Sequence, residues 1–61
     1  MDEEIVSAGD LRTHLDFLRG EGAKIAAVVP HRMEYAGKDG GHDVYKVTHF
    51  KVLSYDPETE V

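Results

Sequence analysis

Leu11, Leu15 and Leu18 recur at the i, i+4, i+7 spacing that lines one face of an α-helix, and Phe17 widens the same stripe. Arg12, Asp16 and Arg19 fall on the other side, with Arg12 and Asp16 four residues apart. Ahead of this stretch, Ser7-Ala8-Gly9-Asp10 has the form of a helix start. Either Ser7 caps with Asp10 in an acidic version of the capping box, or Asp10 is itself the N-cap. Behind it, Gly20-Glu21-Gly22 offers a glycine for the left-handed position that ends helices, and Arg19 complements the negative end of the dipole. The pattern predicts one helix from about residue 10 to residue 19.

Elsewhere the pattern is that of strands. Ile5 and Val6 predict a short first strand over residues 3–8. Residues 23–29 are mostly apolar on both faces and predict a second, with Pro30 ending its regular pairing or marking an edge or bulge. His31-Arg32-Met33-Glu34-Tyr35 can extend that strand past the irregularity. Gly37-Lys38-Asp39-Gly40-Gly41 is a turn cluster containing Asp-Gly, a strong hairpin signal. Residues 44–55 form the longest strand candidate, rich in Val, Tyr, Thr and Phe and closed by Asp56-Pro57. Its alternation is not clean: Tyr45, Val47, Leu53 and Tyr55 share one parity, and Val44, Phe50 and Val52 share the other.

The order is β-α-β-β. The expected fold is α+β, a three-stranded antiparallel-type sheet with one helix packed on one face. The last strand is expected in the middle, because the crossover between the first two leaves room for it. One helix covers one sheet face, and the apolar residues on the other predict an interface.

Sixty-one residues make one small domain with a thin core. Such domains usually add a disulfide, a metal or a partner subunit. The chain has no cysteine, and its four histidines fit no metal motif, which leaves self-association. The net charge of −5 is uneven. Residues 1–4 and 56–61 contain six acids and no base, whereas residues 5–55 contain six acids against seven Lys and Arg. The acidity is expected in two solubilising tails. No stretch approaches the roughly 20 apolar residues of a membrane span, and the start is acidic rather than basic, so a cytoplasmic protein is expected.

Residues 11–30, LRTHLDFLRGEGAKIAAVVP, resemble a pattern in short bacterial and phage proteins of unknown function, the DUF4177-like and DUF1737-like families. There a leucine-patterned helix meets a glycine break and runs into a strand and then a hairpin. Leu11, Leu15 and Leu18 match the helix positions, Glu21-Gly22 the break, and residues 25–30 the strand. The tryptophan usual after the break is replaced by Ala23 and Lys24. The resemblance implies a fold and a phage or prophage setting, and it assigns no catalytic residue.

Candidate chemistry is sparse. His14 sits beside the apolar helix stripe, where a histidine is usually a boundary residue with one hydrogen-bonded nitrogen. His31, His42 and His49 lie in or next to the hairpin, without a metal-ligand spacing. Ser7, Ser54, Thr13, Thr48 and Thr59 are scattered, and no nucleophile motif surrounds them. The glycine cluster precedes a strand, not a helix, so it is no phosphate loop. Neither a metal nor a cofactor is expected. The remaining signal is positive charge on the two long strands, interleaved with tyrosines. It makes His31, Arg32, Tyr35, Tyr45, Lys46 and His49 the candidate contacts for a ligand or partner. Glu34, Asp39 and Asp43 interrupt this charge, which argues against a nucleic-acid partner.

The expectation is a small non-enzymatic interaction protein, a homo-oligomer with a dimer favoured, acting stoichiometrically on a host protein. The alternative is a sequestering protein for a small anionic, nucleotide-like ligand held at a subunit interface.

Overall fold

The computed structural model of the chain describes residues 1–59, so the last two positions of the acidic C-terminal tail lie outside the described residues. Strand β1 (Asp2–Ser7) leads through a 3-10 turn (Ala8–Asp10) into helix α1 (Leu11–Gly20). Two long strands follow, β2 (Lys24–Asp39) and β3 (His42–Tyr55). They form a three-stranded antiparallel sheet in the order β1-β3-β2, with the last strand in the centre as expected.

The helix ends as its glycines dictate. Gly22 takes φ +86°, and the N–H groups of Gly22 and Ala23 donate to the carbonyls of Arg19 and Leu18, both at 3.0 Å. This is the paired closure that a left-handed residue after the last turn permits. Asp10 stands at the N-cap of α1, the second of the two alternatives, but without a side-chain hydrogen bond to the backbone. The Ser7 hydroxyl donates to the Asp10 carboxylate at 3.0 Å, and neither side chain caps a backbone N–H. The 3-10 turn comes first, so Ser7 lies one turn too early to cap α1. Asp2, Glu3 and Glu4 are strand residues paired with β3, not a tail.

Directly opposed residues in a sheet share a face. Val6 with Phe50, and Glu4 with Val52 and Val28, lie on one face. Helix α1 packs over it: His14 reaches Glu4, and Val52 and Ser54 of the central strand are 1% and 4% exposed. Leu11, His14, Leu15 and Leu18 are the half-buried helix positions. Phe17 is corrected: it is 60% exposed, because ten helical residues over a three-stranded sheet bury only the narrow stripe and Phe17 lies at its margin. His14 is half-buried, at the boundary expected of it. Its Nε2 lies 3.4 Å from a Glu4 carboxylate oxygen, yet it is shielded from water and makes no hydrogen bond.

The core ends there. Among the described residues Val52 is the one apolar side chain that is fully buried. β1 pairs with β3 only from Ser54 to His49, while β2 and β3 run on as a two-stranded ribbon. The molecule measures 49 × 20 × 15 Å, and 49 Å is about the length of a sixteen-residue strand. Its radius of gyration of 14.7 Å exceeds the roughly 10.5 Å of a compact domain this long.

Candidate functional site

The ribbon from residue 30 to residue 49 forms an arm that projects past the helix, and all six candidate residues lie on it. Its tip is a two-residue turn, Gly40-Gly41, closed by the pair Asp39 and His42. Both glycines have positive φ, +59° and +83°, as the hairpin turn matched to sheet twist requires. The turn is therefore shorter than the glycine cluster suggested. Lys38 and Asp39 pair within the strand, and Gly37, at φ +112°, lies at an irregularity in it.

Four such irregularities organise the arm and its root. The pairing passes over Ala26, His31 and Ala36 in β2 and over Thr48 in β3. Each extra residue shifts the alternation by one. At Thr48 the side chains show it: the hydroxyl lies 2.9 Å from Nδ1 of the adjacent His49 and donates to the Arg32 carbonyl at 3.3 Å. Two neighbours touching side by side occupy one face, as at a bulge. This explains the uneven parity of β3. Beyond Thr48 the odd positions change sides, so Tyr45 and Val47 join the face of Phe50 and Val52.

One face of the arm therefore continues the helix-covered face outward without the helix. It carries Met33 opposite Val47 and Tyr35 opposite Tyr45. The two tyrosine rings meet edge to face with centroids 5.6 Å apart. Met33, Tyr35 and Tyr45 are 60%, 55% and 58% exposed. A polar rim closes the patch toward the tip, where the Tyr35 hydroxyl donates to Asp43 Oδ1 at 3.2 Å and Lys38 Nζ stands 3.7 Å from the same oxygen.

The opposite face collects two of the three cations of the arm. Arg32 pairs with His49, and Lys46 pairs with Glu34. Lys51, two residues beyond His49, falls on this face too. His31 occupies the extra position of the irregularity beside Arg32. The structure thus brings Arg32, Lys46 and His49 together on one face and Tyr35 and Tyr45 together on the other. A single ligand can touch both groups only if two chains contribute. Met33 and Val47 escaped the sequence reading because their facing depends on the extra residues His31 in β2 and Thr48 in β3.

Catalytic geometry has few materials here. Among the described residues no group of three His, Asp or Glu side chains is placed to hold a metal. A shallow cleft of about 400 Å³ lies between the helix end and the start of β2. Arg19, Gly22, Ala23, Lys24 and Ile25 line it, with neither a carboxylate nor a hydroxyl. No helix among the described residues is long and apolar enough to cross a membrane. Compared with known proteins, the chain matches no family model, no curated protein and no solved structure.

Proposed function

We propose that this chain is a non-enzymatic interaction protein that works in self-associated form and acts stoichiometrically, by occupying the surface of another protein. In the bacterial and phage setting implied by the sequence pattern, that other protein belongs to the host. One observation carries the reading. Among the described residues a single apolar side chain is fully buried, while Ile5, Phe17, Val29, Met33, Tyr35, Val44 and Tyr45 are all exposed. Folding gains little from so small a core, and a monomer rarely leaves a contiguous apolar patch such as Met33, Tyr35 and Tyr45 in water without a partner. Native mass spectrometry of untagged protein tests it. The expected spectrum shows multiples of the 6.8 kDa chain with no added small-molecule mass. A bare monomer at every concentration refutes the self-associated form.

The gathering of Arg32, Lys46 and His49 on one face favours a second reading, the sequestering of a small anionic ligand between two chains. Arg32→Ala is then expected to abolish uptake of a nucleotide in equilibrium dialysis. Unchanged uptake removes this reading, and Glu34 directly opposite Lys46 already weakens the local positive field.

A further inference from the structure

We infer that the arm is the element through which two copies of this chain join. The faces carrying Met33, Tyr35, Tyr45 and Val47 lie against each other, the arms run in opposite directions, and the two bodies sit at the far ends. This rests on the self-association proposed above and assigns it a surface and an orientation.

Charge selects the partner. Residues 30–49 contain three cations, Arg32, Lys38 and Lys46, and three acids, Glu34, Asp39 and Asp43. The arm is neutral. The rest of the chain has four cations against nine acids, so the whole charge of −5 lies outside the arm. Two arms meet without Coulomb repulsion, whereas two bodies repel. The arrangement that satisfies both puts arm on arm and the bodies apart. A nucleic-acid backbone would need a net positive arm on a body that does not repel it, and neither condition holds.

Area agrees. The accessible surface is 4674 Å², against roughly 3,950 Å² for a folded chain of this mass. The surplus, roughly 700 Å², is the surface that the open arm leaves uncovered by the rest of the chain, and a partner on the arm removes part of it from water. The patch also has the anatomy of an interface, with aromatic and Met side chains in the centre and the Lys38–Asp43 pair at its rim. A two-stranded ribbon is at best marginally stable in water and needs a third strand or a packed face. The need is as permanent as the fold itself. A second copy is the occupant always present whenever the chain is made.

The edges of the arm are interrupted as well. Irregularities at His31 and Ala36 interrupt β2, which blunts its outer edge against strand addition. The β3 edge of the arm, beyond its pairing with β1, is likewise broken at Thr48, so the contact is assigned to the face.

The test is sedimentation equilibrium from micromolar to near-millimolar concentration on four proteins: wild type, Tyr45→Lys, Met33→Lys and Ile5→Lys. Ile5 is exposed on the body face turned away from the helix. Wild type and Ile5→Lys are expected to be dimers of matching affinity. Tyr45→Lys and Met33→Lys are expected to dissociate at least tenfold more readily, with unchanged far-ultraviolet circular dichroism. A wild-type dimer that survives both arm substitutions and is broken by Ile5→Lys overturns the inference and leaves self-association standing. A wild-type monomer throughout overturns both. Should the arm variants lose structure, spin-label distances decide, since the chain has no native cysteine. With single labels at His42→Cys at the tip and Arg12→Cys in the body, the body-to-body distance is expected to exceed the tip-to-tip distance. The reverse order overturns the antiparallel arrangement.

Discussion

Replacing Val52 by Ala tests how much of this fold rests on one side chain. Val52 lies in the central strand opposite Glu4 and Val28, 1% exposed beneath the helix. The substitution removes two methyl groups, a transfer loss of about 1.6 kcal/mol at about 0.8 kcal/mol each. An unrelaxed cavity of about 50 Å³ adds about 1.2 kcal/mol at about 24 cal/mol per Å³. The helix above is short, and its leucines are half-buried, so it can settle partway into the space. The expected cost is about 1.5–3 kcal/mol. A 61-residue domain has only about 3–9 kcal/mol to lose, so the change removes a large share of its stability. Urea unfolding followed by circular dichroism reads it, at one fixed protein concentration because association shifts the midpoint. With a slope near 1 kcal/mol per M, the midpoint is expected to fall by about 1.5–3 M. Val44→Ala is the control, since Val44 is 40% exposed on the arm and loses the same β-propensity. A Val52→Ala loss below about 0.5 kcal/mol, or one no larger than that of Val44→Ala, would refute the assignment of the core to this residue.

Substitutions at three further positions probe other points. His14→Leu is expected to raise the urea midpoint slightly, because it removes an enclosed ring nitrogen that lacks a hydrogen bond; a lowered midpoint would show that its contact with Glu4 stabilises the fold. Gly22→Ala is expected to cost about 1 kcal/mol in the same assay, from backbone conformation alone, since a Cβ there meets open space. Gly40→Asn is expected to be neutral or stabilising and Gly40→Val destabilising by about 1–2 kcal/mol, because Asn tolerates positive φ and a β-branched residue does not. Equal effects of Asn and Val would count against the two-residue turn.

Much of the architecture was legible in the residues. The leucine spacing located the helix, Gly22 located its end, and the crossover placed β3 in the centre. These signals are local, or follow from chain connectivity. The misread features depend on contacts between distant residues. Whether Phe17 is covered depends on the width of the sheet beneath the helix, which the helix sequence does not contain. Ser7 and Asp10 satisfy each other instead of the backbone, a competition between side chains that a capping pattern cannot settle. The candidate site was legible as a set of residues on the hairpin but not as a geometry. Alternation alone parts Tyr35 from Arg32 and Tyr45 from Lys46, but His49 joins the cations, and the tyrosines join the helix-covered face, only once Thr48 and His31 are known to be extra residues. The Pro at position 30 warned of one irregularity, and nothing comparable marked the other.

Those irregularities bear on how the chain can change length. β2 has sixteen residues and β3 fourteen, yet they match in thirteen pairs, because three residues of one and one of the other stand outside the ladder. Deleting one of these four, Ala26, His31, Ala36 or Thr48, straightens the ladder and leaves every other side chain facing as before. A single deletion at any paired position instead turns everything beyond it over, exposing Val52 at the root or the lysines where the tyrosines now stand. The hairpin therefore has four joints at which its descendants can gain or lose one residue, and a rigid phase everywhere between them.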